Sequence, residues 1–294
     1  MRFTTWAVLV ATLLLWSGNW IVARAVRAEI SPGVATVGRL VFVLAILLPF
    51  AWRGLRAKLP SLNGRDWVIL VGLGCTGGGP HLGMQWLGLH YTTAASGILY
   101  LSTTPIFILL ITLALGEHIV ARQWIGVAIS FTGVFLIATH GEPARLSFNI
   151  GDLMALGSMM LWAGYTVLLR VRRDPLDVIE LLCMVCIFGV CFMTPWLIAE
   201  GATLRLSEQG AVAVLYSAIG SLLLAYAGWS YVVARIGPAR AGVTLHLMPA
   251  FGVVLSAVFL HEYPQWFHFA GIALILVGVA LSSALRASSA SSSR

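Results

Sequence analysis

Aromatic and uncharged polar side chains recur at helical spacing along this chain, and together they could hold a small molecule without reacting with it. Trp16, Asn19 and Trp20 are spaced i, i+3, i+4, so on a helix they share one face. Trp162, Tyr165 and Thr166 repeat that spacing, while His81 and Gln85 lie four apart, as do Tyr226 and Ser230. Tyr100, Thr103 and Thr104 precede Pro105, and His246 precedes Pro249. Such rings supply apolar area and stacking, and the polar groups supply hydrogen bonds. Bond-making chemistry is poorly served. The stretch HEYPQ from His261 to Gln265 misses the zinc motif H-E-x-x-H, because a glutamine replaces the second ligand and a proline interrupts the helix. No G-x-S-x-G nucleophile turn occurs. Cys183 and Cys186 have metal-pair spacing, but both fall in an apolar segment where packing is the ordinary role. No catalytic residue, cofactor or metal is expected.

The elements that must position these residues are apolar helices. The chain is 59% hydrophobic and only 10% charged, against roughly 25% charged in soluble domains. Runs of about 20 apolar residues, each able to cross roughly 30 Å of hydrocarbon, occur ten times: about 4–23, 33–52, 67–89, 93–115, 123–139, 150–169, 178–199, 210–234, 240–260 and 267–285. A β-barrel would need short alternating segments instead. The fold class expected is an all-α polytopic membrane protein. Arg2 and the apolar run behind it resemble a signal peptide, but no small-x-small cleavage site follows, so the run is kept as the first span.

The net charge of +7 reads as topology and not as nucleic-acid binding. With the N-terminus in the cytoplasm, thirteen Lys and Arg fall on the cytoplasmic side and four on the outer side. Both termini are then cytoplasmic, and the inner membrane is the expected location. All eleven acids map to loops or span ends, whereas Arg39 lies inside span two, where snorkelling or bonding to helix-end carbonyls would make it a brace, the reading preferred to binding of a substrate carboxylate. Trp20, Trp86 and Trp229 have the positions of interfacial anchors.

The two halves of the chain repeat. Trp16, Gly18 and Arg24 match Trp162, Gly164 and Arg170 at a separation of 146. Gly97, Glu117, Gly126 and Gly133 match Gly242, Glu262, Gly271 and Gly278 at 145, and Pro105 matches Pro249 at 144. The halves are 1–143 and 144–286, with 287–294 a flexible cytoplasmic tail. Each half holds five spans, an odd number, so the second must run through the membrane in the opposite sense. Inverted repeats of this kind point to alternating access around a midplane site between the halves.

Here the sequence resembles a known family. LLWSGNW near the start, SPGVATVGR leading span two, AASGILYLSTTPIF through Leu115-Gly116-Glu117, and WIGVAISFTGV are similar to the EamA-type ten-helix exporters of the drug/metabolite transporter superfamily. The second half repeats the pattern with LWAGY, AGVTLHLMPAF and GIALILVG, so the resemblance spans about 5–285. It departs at His261, where the first half has Gly116. Within the superfamily the similarity is closest to the aromatic amino-acid exporters of the YddG type, which implies export of small metabolites across the inner membrane.

Polar groups facing lipid are costly, so the stripes should face protein or a watery cavity. The expected cavity wall is Trp16, Asn19, His81, Gln85, Tyr100, Thr103, Trp162, Tyr165, Tyr226, Ser230 and His246. Gly77, Gly78 and Gly79 should admit a close helix neighbour. Pro80, Pro105 and Pro249 should bend their helices. The stretch matching Pro80 in span eight carries no breaker, so span three is expected to bend more. A wall without carboxylates suits neutral or zwitterionic substrates, amino acids including aromatic ones, better than cationic drugs. It also suits facilitated diffusion better than proton antiport. The expected partners are that small molecule and the bilayer, with a monomer sufficient for function. The rival readings are a multidrug or other-metabolite exporter, an intramembrane enzyme and a passive channel.

Overall fold

Within hydrocarbon a backbone must satisfy its own hydrogen bonds, which leaves helices as the spanning element for a chain of this composition. The computed structural model describes residues 3–26, 30–91, 100–142, 150–201, 207–259 and 264–283. Gly97, His261, Glu262 and the tail 287–294 lie outside the described residues, as does the side chain of Trp20. Among the described residues the structure is helical throughout, with no strand.

Five spans are single helices: span one (Phe3–Val26), span two (Pro32–Lys58), span five (Ala121–Ala138), span six (Ile150–Val171) and span seven (Val178–Glu200). Span ten (Trp266–Ser283) is another. Span nine consists of two helices, Pro238–Thr244 and Leu247–Phe259, and span four continues as Thr104–Ala114 after a turn at Ser102 and Thr103. Both interruptions fall just ahead of the prolines at 105 and 249, whose missing amide suits the opening turn of the following helix.

Span three is an α-helix Gly64–Leu73, a π-helix Gly74–Gly78 and an α-helix Gly79–Tyr91 in series. Span eight has the same plan: Glu208–Tyr216, a π-helix Ser217–Leu224, then Ala225–Ile236. Span eight thus interrupts its α-helix as span three does, although its sequence carries no breaker. The π segments occupy matching positions of the repeat, and the one without a Gly-Pro break is the longer. A π-helix needs one inserted residue and no particular residue type, so neither glycine nor proline has to announce it.

The repeat is inverted. Spans five and ten pack antiparallel, with Gly126 against Gly278 and Gly133 against Gly271. A Cβ at any of these four would run into the facing backbone. Exchanging each glycine for its repeat partner turns one contact into the other, which is what a two-fold axis in the membrane plane requires. Spans two and seven pair in the same antiparallel manner. At one end Glu200 Oε2 accepts from Gly33 N and Ser31 Oγ, both at 3.0 Å. At the other, Lys58 Nζ lies 2.7 Å from Glu180 Oε2.

The glycines of span three do what their size permits. Gly77 faces the Tyr165 ring, while Gly78 and Gly79 meet the backbone of span seven at Val185 and Gly189. Spans six and seven thus come against span three at touching distance. Tryptophan placement differs from expectation. Trp86 and Trp229 are 2% and 0% exposed, whereas Trp6, Trp52, Trp67 and Trp266 are exposed near span ends. Trp229 turns inward because its Nε1–H finds the Thr166 Oγ1 at 3.1 Å, a partner that a lipid-facing indole would lack.

Candidate functional site

Five aromatic rings converge where spans one, six and eight meet. The Trp162 ring lies 5.1 Å from Trp16, 4.9 Å from Tyr165, 5.1 Å from Tyr226 and 6.1 Å from Trp229, centroid to centroid. His81, from span three, stacks on Trp162 at 5.1 Å. The polar ends of Trp16 and Tyr226 are held by the π segments, whose widened turns leave carbonyls to be met from outside the helix. Trp16 Nε1 donates to Ser221 O at 3.0 Å, and Tyr226 Oη donates to Gly77 O at 2.6 Å.

Beside this cluster is a cavity of about 40 Å³, lined by Trp16, Asn19, His81, Leu82, Gln85, Leu101, Met159, Trp162, Ser221, Tyr226, Leu245 and Met248. That is room for a few water molecules, well short of the roughly 300 Å³ at which drug-sized ligand pockets begin. The walls must part before a ring can enter, so this conformation is a contracted one. Among the described residues the lining contains no charged side chain. It also comes in repeat-related pairs: Trp16 with Trp162, His81 with Tyr226, and Leu101 with Leu245, separated by 146, 145 and 144 positions. The cavity therefore straddles the axis that relates the halves.

Several hydrogen-bonding groups on this wall are free to meet a guest. His81 Nδ1–H donates to Ser158 O at 2.8 Å, and Ser158 Oγ donates back to His81 O at 2.9 Å. Because a carbonyl can only accept, Nδ1 carries the proton of the neutral ring and Nε2 is left as an acceptor. Among the described residues nothing bonds Nε2, the Trp162 indole N–H or the Gln85 amide. Asn19 accepts from Ser217 Oγ at 2.6 Å through Oδ1, which leaves its amide hydrogens available.

Six of the eleven residues expected on the wall are on it: Trp16, Asn19, His81, Gln85, Trp162 and Tyr226. The other five lie elsewhere. Tyr100 hydrogen-bonds the buried Asp152, at the start of span six, and Thr103 Oγ1 turns back onto Tyr100 O at 2.6 Å. Tyr165 stacks behind Trp162, pressed against Gly77. Ser230 is buried one turn beyond Tyr226, away from the lining. His246 is fully buried at the interruption of span nine, bonded to Ser130 Oγ through Nδ1 and to Ser102 O through Nε2 at 2.8 Å. Ser102 is the repeat counterpart of His246 at the local separation of 144, so this histidine ties the two interrupted helices together across the axis. The aliphatic wall residues Leu82, Leu101, Met159, Leu245 and Met248 carry no sequence signal distinguishing them from any lipid-facing leucine or methionine.

The model of the EamA-like transporter family matches the chain twice, over residues 4–139 and 149–284. An uncharacterized transporter of Archaeoglobus fulgidus is 29% identical over 288 residues, covering 97% of this chain and 99% of that one. A probable terminal-alkyne amino-acid exporter of Streptantibioticus cattleyicolor is 26% identical over 281 residues, 94% and 92% of the two chains. The uncharacterized inner membrane transporter YedA of Escherichia coli is 27% identical over 253 residues, 84% and 80%. One solved crystal structure superposes with a TM-score of 0.78 over 96% of this chain and 97% of that one, at 19% identity, a likeness of fold.

Proposed function

The chain belongs to the EamA-like transporter family, and from that premise we propose that it is an alternating-access secondary carrier exporting small neutral or zwitterionic metabolites, amino acids with aromatic ones included. The observation that carries this reading is the lining itself: paired aromatic rings and free hydrogen-bonding groups, no charged side chain, and a position astride the axis between the halves. A desolvated cationic drug would find no counter-charge on such a wall. The amino-acid exporter among the relatives supports the substrate class, and the aromatic rings support the finer likeness to YddG-type exporters. The halves 1–143 and 144–286 act as the two rocking units, and the π segments with the interruptions before Pro105 and Pro249 are where they flex. Both termini lie in the cytoplasm and the protein sits in the inner membrane, with one chain making a complete pathway. Facilitated diffusion fits a lining without a carboxylate better than proton antiport does.

A competition screen tests the substrate class. Purified protein in liposomes takes up a labelled amino acid while the twenty amino acids and several cationic dyes compete. Tryptophan, phenylalanine and tyrosine are expected to compete best; inhibition by the dyes with none by amino acids would overturn the assignment.

A further inference from the structure

Arg39 is the one lysine or arginine placed deep within a span by the sequence, and its surroundings are unusual for a cation. It lies two turns into span two and is 1% exposed, so it does not snorkel to either surface. Its guanidinium carbon is 5.9 Å from the centroid of the Trp86 ring, at the outer limit of about 6 Å for a useful cation–π contact. Nε and Nη2 have no hydrogen-bond partner. Among the described residues no carboxylate pairs with this guanidinium. Neither of these two nitrogens bonds a carbonyl, as a brace would require of them.

A buried charge without a counter-ion and with two donors unbonded is strongly unfavourable, and replacing it by a well-packed neutral group is often neutral or stabilising. Its position suggests what it is kept for. Trp86 directly follows Gln85, and His81 lies a turn earlier; Gln85 and His81 both line the cavity. Span two also packs against the π segment of span eight, which contributes Ser221 to the same lining. The cation thus lies beside Trp86, on the helix that carries the lining residues His81 and Gln85. The two orphaned donors, Nε and Nη2, lie on the same edge of the guanidinium, the edge that takes a carboxylate with two parallel N–H···O bonds.

We propose that Arg39 is the carboxylate anchor of the transport site, engaging the acid group of a bound substrate when the wall at Gln85 parts from the contracted form and Trp86 moves from between them. This rests on the carrier reading above and deepens it: the substrate class becomes carboxylates carrying an apolar body. The ammonium end of an amino acid then faces uncharged acceptors, the Gln85 amide oxygen and His81 Nε2, and the ring meets Trp16 and Trp162.

Four ligands sharing one ring separate the possibilities: L-phenylalanine, L-phenylalaninamide, 2-phenylethylamine and 3-phenylpropionate. Their affinities are measured on the full chain in nanodiscs by tryptophan fluorescence. The wild type is expected to bind phenylalanine and phenylpropionate at least tenfold more tightly than the amide and the amine, the scale of a charge-assisted hydrogen bond. In Arg39→Gln this preference should fall within threefold of unity, while Arg39→Lys should restore part of it. Thermal unfolding accompanies each variant, and Arg39→Gln should melt at or above the wild type. If phenylpropionate binds with this preference but phenylalanine does not, the anchor stands and the amino-acid reading fails. The proposal is overturned if no carboxylate outbinds its uncharged counterpart, if the preference survives in Arg39→Gln, or if Arg39→Gln melts well below the wild type.

Discussion

Replacing Trp162 with alanine removes the ring at the centre of the cluster, which touches Trp16, His81, Tyr165, Tyr226 and Trp229 at centroid distances between 4.9 and 6.1 Å. Two effects follow, and they can be told apart. Truncating a buried Trp costs about 3–5 kcal/mol of stability, and every substrate shares that loss. A ring-bearing substrate also loses a stacking partner, about 0.5–1.5 kcal/mol beyond area burial, which raises its KM by roughly 2- to 12-fold. Alanine as substrate has no ring to lose. Counterflow of labelled leucine in liposomes, competed by tryptophan or by alanine, isolates the second effect as a ratio of inhibition constants, independent of how much protein survives reconstitution. Trp162→Phe keeps a ring and should retain most of the discrimination. An equal loss for both competitors in Trp162→Ala, or no loss for either, would refute the assignment of this ring to the substrate wall.

Other expectations follow from the packing. Gly133→Val places a branched side chain against the Gly271 carbonyl, so spans five and ten must separate; a loss of at least roughly 1–3 kcal/mol should appear as a lowered melting temperature in detergent. His246→Phe removes the link between Ser130 and Ser102, with a cost of roughly 1–3 kcal/mol in thermal unfolding and unchanged substrate preference, since the residue is off the lining. Asp174 lies in the loop between spans six and seven. Burial raises its pKa, but hydrogen bonds from Arg172 at 2.6 and 3.0 Å, the Arg172 charge and the Leu176 amide outweigh this and hold the carboxyl below its usual value. A depressed folded pKa gives stability that is complete above the unfolded value of about 3.9 and lost as pH falls through the lowered one. Asp174→Asn should therefore lower the melting temperature at pH 7, with the difference from wild type shrinking as pH falls below about 4 and gone only below the depressed folded pKa.

Much of the fold was legible because a repeat constrains it twice. The glycines at 126, 133, 271 and 278 could be paired in the sequence, and the structure uses those four where spans five and ten touch. The site was legible in part. Helical spacing gives a stripe, but the stripe is wider than a cavity. Tyr165, three positions after Trp162, is rotated about 60° from it and packs behind it. His246 sits in a turn, where helical phase carries no information, and its destination depended on Ser102 and Ser130 from other spans. The π segment of span eight has no residue signature, and it is the element that offers the Ser221 carbonyl to Trp16. Arg39 looked like a brace because its distance from a surface could be estimated and the absence of partners could not.

The central claim is a carrier whose two halves take turns exposing one uncharged, ring-lined hollow. Liposomes containing the purified chain, loaded with unlabelled phenylalanine and given labelled phenylalanine outside, test it most directly. Uptake should saturate with external concentration and run several-fold faster than into liposomes loaded with buffer alone. Uptake that rises linearly with concentration and ignores the internal amino acid would contradict it.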